Sequence, residues 1–155
     1  MSSQCPDVSA FVEAHGMLWE ASGLPRIAGR ILGWLLVCQP AEQTASALTE
    51  ALSASRASIS TNTRLLEHFG IVERTARIGT RSTLFRIAPG AWTRVMRNEN
   101  DRARRFREIA EQGLELLPET DATDRSRLTE FHTIWSFMEQ ELPGLLDRYE
   151  QSYTK

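Results

Sequence analysis

The sequence predicts a mainly α fold with one small β-hairpin and long helices at its C-terminal end. Three observations point there. Apolar residues recur at helical spacing through residues 6–69. Two runs rich in strand formers, Ile71 to Ile78 and Thr83 to Ile87, flank the turn Gly79-Thr80-Arg81-Ser82. A 3-4-3-4 apolar repeat then occupies residues 128–149. Read in order, helix, turn, serine-rich helix, glycine and hairpin describe a winged helix-turn-helix, and the distal helices a dimerisation region. The expected division is a tail over 1–5, a winged unit over 6–89 and a helical region over 90–155, with 6–22 also joining the dimer interface.

The first helix should run from Pro6 to Ser22, because Pro6 suits a first turn and Asp7 the positive helix end. Its stripe is Phe11, Val12, His15, Leu18 and Trp19, and Gly23 closes it. A second helix starts near Pro25 and ends before Pro40. It is apolar almost all round and so should be the central core helix. Gly29 and Gly33, one turn apart, clear a strip for close helix packing. Arg26 and Arg30 share another face, where they could touch phosphate or pair with acids across a subunit boundary; the pairing is favoured. Gln39 to Gln43 reads as a connector that could carry a short strand.

Thr44 can cap a third helix over Ala45 to Leu52, whose apolar face is Ala47, Leu48, Ala51 and Leu52. Ser53-Ala54-Ser55 suits a tight turn followed by a new N-cap. The fourth helix should span Arg56 to Phe69, with Ile59, Thr63, Leu66 and Phe69 as one stripe, Leu65 widening it, and Gly70 as its C-cap. Its other face carries Arg56, Ser58, Ser60, Thr61 and Arg64, short or cationic groups that can donate to phosphates and base edges. One anchored face and one slim donor-rich face are what a helix needs to enter a major groove. Arg81 lies at the hairpin tip, flanked by Arg74, Arg77 and Arg86, where a narrow loop can reach a minor groove or backbone. The residues expected to touch double-stranded DNA are therefore Ser55, Arg56, Ser58, Ser60, Thr61, Arg64, Arg77, Thr80 and Arg81.

Charge supports that partner. Residues 54–107 hold twelve arginines against four acids, a local +8, whereas the whole chain carries −2. Residues 1–53 and 108–155 are acidic, at −3 and −7, and should face away from a polyanion. The alternative is a winged-helix protein–protein adaptor that binds no DNA.

Beyond Pro89-Gly90 a long helix should span about Gly90 to Leu117, with Ala103, Phe106, Ala110, Gly113 and Leu117 on one face. Pro118-Glu119-Thr120 breaks it, and Asp121 or Thr123 can cap the last helix. There Leu128, Phe131, Trp135, Met138, Leu142, Leu145 and Tyr149 form a seam too large to hide behind one helix, which points to a homodimer. Pro143 should bend or restart this helix near Glu141. A two-fold protein presents paired recognition helices to successive major grooves, so its operator should be a near-palindrome.

The layout resembles the MarR-type winged-helix transcription regulators. Three stretches, Gly23 to Gly33, Leu52 to Ser60 and Gly79-Thr80-Arg81, are similar to the GbsR-like branch, and the resemblance covers about residues 15–100. It implies a dimeric regulator, most often a repressor. Some members of that branch respond to choline-type osmolytes, so a small-molecule effector is admitted as a further partner; no motif here fixes its pocket.

Other chemistry finds no motif. There is no catalytic constellation, no phosphate-binding glycine loop and no cofactor or metal-ligand cluster, so an enzyme is not expected; His15, His68 and His132 are scattered. Two cysteines, Cys5 and Cys38, are too few for a disulfide framework. The longest apolar run, Ile31 to Cys38, is short of the ~20 residues of a membrane span, and no secretion signal is legible, so a cytoplasmic protein away from membranes is expected.

Overall fold

The computed structural model describes residues 8–76, 79, 82–118 and 122–153. They divide into two compact units, Met1–Ala91 and Trp92–Lys155. The expected tail over 1–5, the Pro6 helix start and the strand residue Ile78 lie outside the described residues.

The first unit runs α1 (Val8–Ala21), α2 (Arg26–Val37), β1 (Gln43–Thr44), α3 (Ala45–Leu52), α4 (Arg56–His68), β2 (Val72–Ala76) and β3 (Thr83–Ile87). α2 is its centre: Ala28, Ile31 and Leu32 are fully buried. The glycine strip on α2 has the expected cause. A Cβ on Gly29 would stand 2.8 Å from Trp19 Cβ and 2.9 Å from Gly16 Cα, and one on Gly33 would stand 3.0 Å from His15 Cβ. The helix forgoes side chains there so that α1 can lie directly on it. His15 fastens the pair, with Nδ1 2.8 Å from the Gly29 carbonyl and Nε2 accepting from the Trp19 indole at 3.3 Å.

The stripe read for α1 splits in two. Val12, His15 and Trp19 face α2 together with Gly16, while Phe11 and Leu18 are exposed. The five positions cover too wide an arc for one helix to bury.

α3 and α4 begin and end on the expected chemistry. Thr44 Oγ1 accepts from the Ala47 N–H at 3.0 Å, and Ser55 Oγ from the Ser58 N–H at 3.1 Å. Ser53 turns the chain with φ +47. Leu48, Leu52, Ile59 and Leu66 join the core. Gly70, at φ +70, ends α4: its N–H donates to the Glu67 carbonyl, and the Ile71 N–H to that of Leu66. Phe69, assigned to the buried stripe, is instead 39% exposed at the C-cap of α4.

The sheet is antiparallel in the order β1-β3-β2. The short connector strand exists, pairing Gln43 with Phe85 and Thr44 with Leu84. Arg74 lies opposite Phe85 and Val72 opposite Ile87.

The second unit holds α5 (Ala91–Leu116, whose first residue belongs to the first unit) and α6 (Ala122–Tyr153). The two helices run antiparallel, since Arg97 meets Glu150, Arg107 meets Glu139 and Gly113 meets Leu128. Phe106 packs on Trp135 at 4.6 Å and edge-on to Phe131 at 5.7 Å. Of the two proposed caps for α6, Asp121 lies outside the described residues and Thr123 lies within the helix. Of the bend or restart expected at Pro143, the restart does not occur: α6 is one continuous helix with Pro143 inside it. Pro143 is exposed, where water can serve the carbonyl it leaves open, and Leu142 and Leu146 beside it are buried. Among the described residues no helix is long and apolar enough to cross a membrane.

Candidate nucleic-acid interface

α4 separates its faces as a reading helix must. Ile59, Thr63 and Leu66 are buried, while Arg56, Ser60, Thr61 and Arg64 are exposed. Arg56, Ser60 and Arg64 follow one another at four-residue steps and so form one row. Arg64 Nη2 donates to Ser60 Oγ at 3.3 Å within it. Thr63 can sit in the core because its hydroxyl donates back to the Ile59 carbonyl at 2.9 Å. Ser55 and Ser58 lie at the helix start; Ser55 is exposed and Ser58 half-buried, and both take part in the cap. Asn62 was not singled out from the sequence, yet it is buried, with Nδ2 donating to the Ser58 carbonyl at 2.8 Å. A polar residue on a buried stripe reads as solvent-facing until the register of the helix is known.

A cleft of about 410 Å³ separates α4 from the sheet. Arg64, Arg74, Ser60 and Ser82 are among its walls. Arg77, Thr80 and Arg81, assigned to the hairpin turn and its flank, lie outside the described residues.

The arginines are unequal in a way that the charge tally hides. Arg74 holds Glu67 through two hydrogen bonds, at 2.5 and 3.0 Å, and stacks over the Phe85 ring. Arg86 pairs with Glu73 at 2.7 Å and Glu42 at 3.6 Å. On α5, Arg97, Arg102, Arg104 and Arg107 are each paired with an acid. The local +8 therefore overstates the charge open to a polyanion, because some partner acids, Glu42, Glu139 and Glu150, lie beyond residues 54–107. Arg26 and Arg30 also pair with acids, here Glu13 and Glu20 of their own chain.

The seven seam residues of α6 do not share one environment. Leu128 meets Gly113, Trp135 meets Phe106, and Leu142 is buried, so these are spent on α5 or lie inside the unit. Phe131, Met138, Leu145 and Tyr149 remain at least a third exposed. Ile134, Phe137 and Tyr153, which the repeat did not include, extend this exposed row. Leu146, also missed, belongs with the buried one.

Titratable groups add little chemistry. Burial pushes the Cys38 thiol up, which disfavours the reactive thiolate. Arg107, and then His132, hold the Glu111 carboxyl below the usual carboxylate range. Among the described residues no cluster of three metal-ligating side chains occurs.

Comparison with known proteins agrees with this geometry. A family model described as MmpR5-like MarR family transcriptional regulator matches residues 90–152. The HTH-type transcriptional regulator MmpR5 of Mycobacterium tuberculosis is 40% identical over 146 residues, covering 94% of this chain and 88% of that protein. A solved structure described as a transcriptional regulator superposes with a TM-score of 0.81 at 40% identity, covering 94% of this chain and 99% of its own. These matches support the MmpR5-like branch; they do not confirm the GbsR-like resemblance of residues 23–33, 52–60 and 79–81. The chain belongs to the MmpR5-like MarR family of transcriptional regulators, a family of winged helix-turn-helix proteins and not of enzymes.

Proposed function

We propose that this chain represses transcription as a homodimer bound to a near-palindromic DNA operator. The observation that carries the reading is α4, with Arg56, Ser60, Thr61 and Arg64 exposed on one side and Ile59, Thr63 and Leu66 buried on the other. Ser55 and Ser58 at its start, and Arg77, Thr80 and Arg81 at the hairpin tip, complete the proposed DNA contacts. The dimer is supported by the exposed row of Phe131, Ile134, Met138, Leu145 and Tyr149, since isolated soluble chains rarely leave so long an apolar row to water. A second copy would cover it and set the two recognition helices about 34–36 Å apart. A small-molecule effector would act by changing that spacing, because a ligand shifts binding only by favouring one arrangement over another.

Sedimentation and gel shifts test this together. The expected result is a dimer in solution that shifts a duplex holding two inverted half-sites more strongly than one holding a single half-site. A dimer that shifts no duplex at low salt would replace this reading with that of a protein–protein adaptor.

A further inference from the structure

The turn between α3 and α4 fixes the angle at which α4 is presented, and one side chain from outside the motif reaches into it. Arg30 of α2 donates from Nη2 to the Leu52 carbonyl at 2.9 Å. That carbonyl lies in the last turn of α3, where no intrahelical partner remains and a positive charge suits the helix end. The same guanidinium forms an ion pair behind, with Nε 2.6 Å from Glu13 Oε1 of α1 but not aligned as a hydrogen bond. Arg26 shares that carboxylate at 3.0 Å from Oε2. Arg30 is the better covered of the two arginines, its side chain 24% exposed against 47%.

The path of the side chain is also built. A Cβ on Gly16 would stand 2.6 Å from Arg30 Cγ, so the stem crosses α1 through a notch that only glycine leaves. Glu13, Gly16 and Arg30 thus form a seat that directs one donor at the end of α3. An arginine recruited only for solubility would need neither the notch nor the buried carbonyl.

We propose that Arg30 is a positioning residue for the recognition helix, tying the Leu52–Ser55 turn to α1 through Glu13. This rests on the DNA-binding reading of α4. It predicts an effect on sequence discrimination and not on phosphate attraction.

The test compares the wild-type chain with Arg30→Met, Arg30→Lys and Glu13→Gln on two duplexes. One is selected from a random-sequence pool by the wild-type chain; the other is a mixed-sequence duplex of equal length. Losing a charged hydrogen bond that orients α4 should weaken the selected duplex about tenfold in Arg30→Met. Mixed-sequence affinity and its salt slope should stay at the wild-type values, and Arg30→Lys, which can still donate to Leu52, should recover most of the loss. Equal loss on both duplexes with a shallower salt slope would make Arg30 a phosphate contact and overturn the proposal. So would full affinity of Arg30→Met for the selected duplex.

Should Arg30→Met not fold, amide hydrogen exchange of Glu13→Gln decides. The Ser53 and Ala54 amides should then exchange at least about threefold faster, while those of Ile31 and Leu32 do not change. Unchanged rates at Ser53 and Ala54 would overturn the tie. A wild-type chain that binds no duplex would remove the DNA reading instead, leaving the exchange result to judge the tie alone.

Discussion

Arg74 grips Glu67 with both arms of its guanidinium, so β2 is fastened to α4 by a pair that cancels its own charge. Arg74 is half exposed, and such pairs contribute at most about 1 kcal/mol to stability. Their larger consequence is electrostatic. Glu67→Gln should leave the melting temperature nearly unchanged yet free a cation at the wall of the cleft. Mixed-sequence duplexes should bind more tightly, and the slope of log affinity against log salt should steepen by up to about 0.9 per subunit. Titrations of both proteins across salt check this; an unchanged slope would mean that Arg74 stays away from phosphate.

The row on α4 gives a contrasting expectation. Arg64→Ala removes a cation that no acid offsets among the described contacts, and its slope should become shallower by about 0.9 per subunit. Thr61→Val keeps charge and shape, so the slope should hold while the preferred sequence changes. Binding to a panel of single-base variants of a selected duplex separates the two behaviours.

Two glycines should respond to alanine with opposite signs. At Gly29 the new methyl meets backbone and Cβ atoms of α1 below 3.0 Å, and overpacking of this kind costs about 1–3 kcal/mol. At Gly144 the nearest atom is Arg148 Nη1 at 3.9 Å, so only the helix preference of alanine is felt, worth up to about 1 kcal/mol in favour of folding. Thermal melts should show Gly29→Ala falling and Gly144→Ala rising relative to the wild type.

Acid should loosen the α5–α6 pair through Glu111. Its carboxyl is held low by Arg107, which also binds Glu139 across the helix pair, and by His132. A depressed folded value means that the stabilisation is present above the ordinary carboxylate range and lost as pH falls through the folded value. Urea melts of the wild type and Glu111→Gln should therefore differ near neutral pH and converge in acid. A difference that persists in acid would show that the carboxylate charge is not the source.

Local chemistry made much of this fold legible. Thr44, Ser55 and Gly70 mark helix ends because each acts on backbone groups within a few residues, and the Gly29–Gly33 strip announced a close neighbour. What stayed hidden depends on partners far along the chain. Nothing near Arg74, Arg86 or Arg97 says that Glu67, Glu42 or Glu150 would take up its charge. The α6 repeat could not say which of its residues face α5, because two adjacent apolar rows at heptad spacing merge into one seam. The reach of Arg30 to the Leu52 carbonyl stayed hidden for the same reason, since Leu52 lies 22 residues away.

The most direct measurement is duplex affinity as a function of salt, read by fluorescence anisotropy on the wild-type protein. Binding through the arginines of α4 and the hairpin should weaken linearly on a log–log scale, with a slope on the order of 0.9 for each phosphate contacted. Affinity that does not change between low and high salt, or no binding at low salt, would contradict the assignment of α4 as a DNA-reading helix.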